Sequence, residues 1–395
     1  MPWAALALAA AVDLALSLAR RPAARLDLPA ELFIGQQGAL TIALEPPRPG
    51  ARAAADWPAG LAGPAVAPLS AAETVTALPI RAVRRGRWTL SRVWLSWPSR
   101  LGLFEIVPLL APDLSTGVAP DIRPARSGEI ATRVRSDLFG IKQNTRVGEG
   151  AEFHQLREFT AGMDIRTIDW KQSARHRALL AKEMHAERNH NVLIGIDCGR
   201  LMGVPAEGLP KLDHAINAGL ALGWAAAVAG DRIGLFTYDA RLRAFLPPQG
   251  GRTAFARLRA RTAEADYAAV ESNHTLALSE VGARSPRRSL IVVFSDFVDA
   301  TTAELLVETL GLLARRHLVM FVSVADAALA RHTAAAPRAL ADVAMTVAAG
   351  RALAERRRVL GTLTQLGITV IDAPGGAVTP QLVSAYIEAK LKDRI

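Results

Sequence analysis

Lysine is nearly missing from this chain. Only six occur, at positions 142, 171, 182, 211, 390 and 392, so arginine supplies 41 of the 47 basic residues. The net charge of +10 would suit a phosphate-rich partner, because cations that displace condensed counterions gain affinity. These arginines are scattered through an alanine-rich chain instead of gathering on one element, which reads as compositional bias, with nucleic-acid binding kept as an alternative. Cysteine is scarcer still. Cys198 alone excludes an internal disulfide framework and suits a reducing compartment. Signatures of nucleotide and hydrolytic chemistry are missing too: no phosphate-loop lysine and no GxGxxG follows the first strand of the C-terminal half. No two of His154, His176, His185, His190 and His214 have the HxxxH spacing of a helical zinc site, and no GxSxG elbow surrounds Ser295.

What is present is bulk. With 395 residues, half of them hydrophobic, the chain exceeds a single core and predicts two or three domains. Residues 3–19, WAALALAAAVDLALSLA, are apolar around a whole helix and are followed by Arg20, Arg21 and Arg25. The run is short for a bilayer, where about 20 residues are usual, and Asp13 weakens it. Arginines after the apolar run argue against a secretory signal. By the positive-inside rule they favour a single-pass anchor over residues 1–24, in the inner (cytoplasmic) membrane with the bulk of the chain cytoplasmic. The alternative is a helix buried in protein.

Residues 25–122 change to short alternating runs such as ALTIALE, which puts Leu40, Ile42 and Leu44 on one face. GRWTLSRVWLSW is a longer strand candidate, ARAAADWPAGLAGPAVAPLS is loop-like, and together they predict a β-sandwich-like domain. A polar linker, 123–147, leads into a charged segment, 148–190, in which Asp164 is a plausible N-cap for a helix through IRTIDWKQSA. ALLAKEM then reads as a strand. From 191 to 395 the apolar runs lose their alternation: NVLIGID, RIGLFTY, SLIVVFSD, HLVMFVSV and GITVIDA are separated by helix-length segments. Strands buried on both faces predict a doubly wound, mostly parallel, Rossmann-like sheet. The fold class is therefore multidomain α/β plus β, behind an N-terminal membrane helix.

Open sheets of this kind bind ligands beyond the carboxyl ends of their strands. Asp197 closes one strand and Asp296 another. Two aspartates brought together call for a hard cation such as Mg²⁺ or for an arginine, and Thr275 could add a hydroxyl. Helix capping and arginine pairing remain open for both carboxylates. Glu158, Asp164 and Asp169 could form an acid/base cluster, although ion pairing with the surrounding arginines competes. Cys198, with His214, is either a nucleophile or a small apolar residue.

GEGAEFHQLREFTAGMDIRTIDWKQSARHRALLAKE, 148–183, closely resembles the signature of the domain of unknown function 58 family, and RRGRWTLSRVWLSWPSRLGLFE and GDRIGLFTYDARLRAFLPPQGG resemble its flanking segments. The resemblance implies a membrane-anchored, non-enzymatic adaptor with a von Willebrand factor type A-like domain over 191–395, working with a MoxR-type AAA+ ATPase. It also implies a metal-ion-dependent adhesion site carried by Asp197, Thr275 and Asp296. That site is degenerate, because DCGRL places Gly199 and Leu201 where the pattern has serines; no cofactor is expected, Mg²⁺ excepted. A metal-dependent hydrolase using Asp197 and Asp296 is the alternative function. Within the signature, Arg157, Glu158, Asp164, Arg166, Asp169, Trp170, Ser173 and Arg175 are the expected interaction residues, with aromatics buried and charges paired at a seam between domains.

Overall fold

The computed structural model describes residues 2–18, 22–121, 123, 152–160, 163–176, 178–185, 189–298, 300–325, 331, 333, 339–392 and 394–395. The expected linker, Arg123 apart, lies outside them. The protein is mixed α/β, with several sheets, and divides into two compact units: Met1–Arg123 with Gly203–Asn217, and Pro124–Met202 with Ala218–Ile395.

In the first unit, strand Gln37–Glu45 pairs antiparallel with Ala23–Asp27 and Val75–Ala82, and its alternation buries Leu40, Ile42 and Leu44. The expected long strand in GRWTLSRVWLSW is two strands. Gly86–Leu90 pairs with Leu114–Ala119, whereas Val93–Pro98 pairs with Arg52–Ala55, so the chain breaks at Ser91 and Arg92 to change sheets. The stretch read as loop supplies Arg52–Ala55 and Val66–Pro68. Alanine is a weak strand former, but Ala53 and Ala67 sit in the core, and packing outweighs propensity in sheets. Residues 203–217 add a hairpin, Pro205–Ala206 against Leu209–Pro210. Its turn residues Glu207 and Gly208 both have positive φ, 52° and 81°, the conformation that matches a tight hairpin to strand twist. Leu209 then enters this unit's core, and buried Arg85 pairs with buried Asp213.

Helix α1 (Pro2–Leu18) lends the expected membrane span no support: among the described residues no helix is long and apolar enough to cross a membrane. Asp13 is 0% exposed. Its carboxylate accepts hydrogen bonds from Ser99 Oγ at 2.5 Å and from the Leu101 amide at 2.9 Å. A buried carboxylate held by donors is a fastening point, not an insertion defect.

The second unit begins with β1 (Glu152–Glu158), which pairs antiparallel with β2 (Leu180–His185). ALLAKEM is thus a strand, as read, but its partner is β1 rather than the first strand of the large sheet. That sheet comprises β3 (Asn191–Asp197), β4 (Arg232–Tyr238), β5 (Leu242–Gln249), β6 (Leu290–Phe294), β7 (Leu318–Val324) and β8 (Thr369–Ala373), in the order β5-β4-β3-β6-β7-β8. All neighbours are parallel except β4 and β5. β5 carries Pro247 and Pro248, and its edge position tolerates the missing amides.

Both faces are covered. Leu193 packs with α5 (His274–Arg284), α6 (Ala300–Ala314) and α7 (Leu340–Gln365). Ile194, one residue on, meets Gly219 of α3 (Lys211–Val228), and Gly223 of α3 fits against Leu258 of α4 (Arg252–Ala263). The C-terminal α8 (Gly375–Leu391) is tied down by Lys390, which reaches buried Asp231 at 2.6 Å. α7 starts twelve residues earlier than its ALAERRRVLG motif indicates, at Leu340.

Candidate functional site

β3 is the first strand of the sheet and lies at its centre, so strand order reverses between β3 and β6. Helices on opposite faces diverge there and leave a crevice at the carboxyl ends. Because Ile196 pairs with Phe294, Asp197 and the 295–296 turn emerge side by side. The structure therefore brings together the two strand-end aspartates that the sequence singles out, but each has its own partners.

Asp197 is 1% exposed. Its Oδ1 accepts from Ser272 Oγ at 2.5 Å and the Gly199 amide at 2.8 Å, and its Oδ2 from Ser295 Oγ at 2.6 Å. Gly199 has a steric reason: a Cβ there would lie 2.0 Å from Ser272 Oγ and 3.1 Å from the Val270 carbonyl. Ser272 thus supplies a hydroxyl in the space that a side chain at 199 would fill. Thr275, the hydroxyl expected at this place, is exposed in the first turn of α5, where Thr309 Oγ1 donates to it at 3.4 Å.

Asp296 is held differently. Its Oδ1 accepts from the Arg356 Nη1 at 2.6 Å, the Phe297 amide at 3.0 Å and Ser323 Oγ at 3.2 Å. Arg356 comes from α7, also pairs with Asp372 of β8 at 2.9 Å, and lies 5.2 Å from the Phe297 ring centroid. Burial opposes the charge, but the carboxylates of Asp296 and Asp372 hold the guanidinium's pKa above its ordinary value. One cation therefore joins the ends of β6, β7 and β8.

Around Asp197 burial pushes the Tyr238 phenol well up, and the Asp197 charge adds to it. Tyr238 Oη lies 3.2 Å from His274 Nδ1. Burial lowers the His274 pKa against the pull of Asp197 and Glu271, so its ring is neutral at pH 7. Arg200, Leu201, Glu271, Ser272, His274 and Asp296 line a small recess open to solvent.

In this arrangement the residues do not fit Mg²⁺. The ion needs near-octahedral oxygen ligands, whereas Gly199 and Leu201 supply none, Asp197 is engaged by hydroxyls and Asp296 by Arg356. Among the described residues no three His, Cys, Asp or Glu side chains gather as a metal set. Cys198 is buried, with its thiol toward the Ile196 carbonyl, and His214 Nε2 bonds the Ala206 carbonyl. Ser272, Ser323, Arg356 and Asp372 were not found from sequence. The one signal for Arg356 was its place in the ERRR run of α7.

The signature residues occupy β1, β2 and the excursion between them. Asp164 does cap, but the helix expected after it is cut in two. Asp164 Oδ1 accepts the Arg166 amide to close a 3₁₀ turn, Ile165–Thr167; Ile168 then bridges to Ala181 in extended form. A second helix, α2 (Trp170–His176), starts at Asp169, whose Oδ1 accepts the Lys171 and Gln172 amides at 3.1 Å. Buried Ser173 Oγ accepts the Leu180 amide at 2.9 Å. Arg157 and Glu158 pair in register with Ala181 and Leu180. The aromatic expectation is overturned: Trp170 is 65% and Ile165 68% exposed. Arg157, Glu158, Arg166, Lys171 and Arg175 are exposed too. Capping and the Ser173 contact set the backbone and leave Ile165 and Trp170 pointing out, while Phe159, Met163 and Ile168 are half-buried.

A family described as protein of unknown function DUF58 matches residues 155–343. Three curated relatives, the uncharacterized proteins Mb1516 of Mycobacterium bovis and MT1527 and Rv1480 of Mycobacterium tuberculosis, are each 25% identical over 181 residues. The match takes in 45% of this chain and spans 56% of each relative's length. Among solved structures, the conserved hypothetical protein BatB from Bacteroides thetaiotaomicron aligns at 10% identity and a TM-score of 0.32, over 51% of this chain and 99% of that one. The RO (RSR) protein of Deinococcus radiodurans aligns at 13% identity and a TM-score of 0.22, over 53% of this chain and 40% of that one.

Proposed function

We propose that this chain, whose residues 155–343 match the DUF58 family, is a non-enzymatic adaptor whose second unit, a von Willebrand factor type A-like domain, grips a protein partner, a MoxR-type AAA+ ATPase. The observation that carries this reading is the state of the carboxyl end of the sheet. A hydrolytic site there would need Asp197 and Asp296 turned to a shared cation; instead Arg356 engages Asp296 while Ser272 and Ser295 engage Asp197. Charge that is satisfied internally stiffens a scaffold and leaves little to polarise a substrate.

The proposal places the protein at the inner membrane through the outer face of α1. Trp3, Leu8, Val12, Leu14 and Leu16 are exposed there, and the fastened 101–109 loop exposes Leu101, Leu103, Phe104, Val107 and Leu109. Exposed apolar area of this extent marks a contact surface, protein or lipid. Flotation of the purified chain with vesicles containing anionic lipid tests it: Leu8→Asp with Leu103→Asp should leave the protein at the bottom of the gradient.

The adaptor reading is tested by co-purification with a MoxR-type ATPase under ATP and Mg²⁺, where a stable complex is expected and none would overturn it. Steady hydrolysis of a substrate that is abolished by Asp296→Asn would instead establish the hydrolase.

A further inference from the structure

Arginines that look scattered in the sequence gather at the amino end of the large sheet. The loops leading into β6 and β7 each carry a pair, Arg287-Arg288 and Arg315-Arg316, and all four are exposed. The fold makes the two loops neighbours: the Leu318 amide bonds the Ser289 carbonyl at 3.0 Å, and Arg316 Nη2 reaches the Pro286 carbonyl at 3.5 Å. Arg288 Nη2 bonds the Arg394 carbonyl at 2.9 Å, which brings the segment after α8 alongside. Among the described residues none of the four pairs with a carboxylate. The acids of this end have other cations: Glu280 pairs with Arg284, Glu388 with Lys392, and buried Asp231 with Lys390. Glu308 stands two turns back along α6 from Arg315, about 10 Å by helical rise. Burial and the Arg316 charge hold the His317 pKa below its ordinary value, so that ring is neutral at pH 7 and adds no charge. Cations also complement the C-terminal ends of helices, but α5 already has Arg284 in its last turn, and Arg287 and Arg288 are surplus to that role. Aliphatic side chains border the patch. Leu312, 54% exposed, precedes Arg315 and Arg316 by three and four residues, the spacing of one helix face, and Leu366, 46% exposed, lies against α6 at Gly311.

We propose that this end of the sheet rests on an anionic lipid bilayer. Guanidinium is weakly hydrated and meets phosphate with a two-pronged fork, and a lipid surface offers hydrocarbon to the leucines beside it. A nucleic acid supplies phosphate without hydrocarbon, and its bases find no aromatic side chain on either loop to stack on. An acidic protein fits less well than lipid because leucine is under-represented among the residues that dominate protein interfaces. The inference rests on the membrane placement proposed above and adds an ionic contact to the apolar one at α1. The ionic contact alone is too weak to hold the chain through flotation, since stable anchoring takes two signals.

The test is co-sedimentation of the full chain with vesicles of phosphatidylcholine, alone or mixed with phosphatidylserine. Each cation near an anionic surface is worth roughly fivefold in partitioning. Wild type should therefore prefer the mixed vesicles by on the order of a hundredfold at low salt, and high salt should remove the preference. Arg287→Gln with Arg315→Gln alters two side chains that have no partner among the described residues. This variant should cut the preference by roughly twentyfold with an unchanged thermal transition, whereas lysine at both positions should keep it. Adding Arg288→Gln and Arg316→Gln should bring binding of both vesicle kinds to the wild-type level on phosphatidylcholine. Duplex DNA or polyglutamate at equal charge should not displace wild type from the mixed vesicles. Equal binding of wild type to both kinds, a preference that survives the glutamine variants, or displacement by either competitor overturns the proposal and leaves the contact at α1 standing. Leu8→Asp with Leu103→Asp, by contrast, should weaken binding to both kinds. If wild type binds neither, the membrane placement itself fails, and this contact with it.

Discussion

The carboxyl end of the large sheet and the 163–176 excursion are both rich in charge, yet they use it in opposite ways. At the sheet end Asp197, Asp296 and Arg356 are buried or nearly so, and hydroxyls, amides and the guanidinium meet the two carboxylates. In the excursion Asp164 and Asp169 serve backbone amides, while Arg166, Trp170 and Lys171 stay in solvent. The same residue types make a lock in one region and a face in the other. The deciding variable is burial: a buried charge must find its partner inside the fold, whereas a charge at the surface is solvated whether or not it is paired.

The comparison breaks most severely at Arg356. Arg356→Ala leaves Asp296 buried without its cation, and removing one partner of a buried pair costs on the order of 3–5 kcal/mol, to be read from urea unfolding. Millimolar Mg²⁺ should recover part of that loss in Arg356→Ala and leave wild type unchanged; no recovery would mean that the guanidinium does more than supply charge.

Acid probes the locked body next. Burial depresses His274 and His317 below the ordinary 6.5, with the Arg316 charge adding to the effect on His317. For Asp231 burial acts upward, but hydrogen bonds from His190, Lys390 and Tyr386 and the Lys390 charge hold the carboxyl below 3.8. In all three the unfolded chain takes up its proton at a higher pH than the folded one. Their stabilisation is complete above the unfolded pKa and is lost as pH falls through the folded value. The unfolding midpoint should therefore decline below about pH 6.5 and again below about pH 4, and a flat profile between pH 7 and 5 would contradict the histidine part.

The excursion should respond least. Asp169→Ala removes a cap worth roughly 1 kcal/mol, visible as faster amide exchange in α2. Trp170→Ala should shift stability by no more than about 0.5 kcal/mol, as exposed substitutions do, even though it removes the largest apolar group of the face. A larger loss would mean that Trp170 is packed against the protein, and the contrast between lock and face would then be gone.

Much of the scaffold was legible because burial on both sides leaves a mark on composition. The five apolar runs from NVLIGID to GITVIDA are β3, β4, β6, β7 and β8. The adjacency of Asp197 and Asp296 followed from two strands that end alike. Other features left no such mark. β5 was hidden by its prolines, and two strands of the first unit by their alanines. The ERRR run contains three arginines, and helix register alone selects Arg356 for the interior while Arg357 bonds the Leu353 carbonyl at the surface. Ser272 stands three residues before Thr275, and only the path of the chain puts its hydroxyl, not that of Thr275, on Asp197.

By itself the sequence determined which segments are strands buried on both faces, since an unbroken apolar run has no solvated side to offer. It determined also where the turns of the signature begin, since Asp164 and Asp169 act on amides only two or three residues away. The tertiary structure alone decided which cation meets which carboxylate, and that Trp170 faces water. Those outcomes depend on contacts between residues far apart in the chain, such as Arg356 and Asp296, 60 positions apart, and no local pattern encodes them.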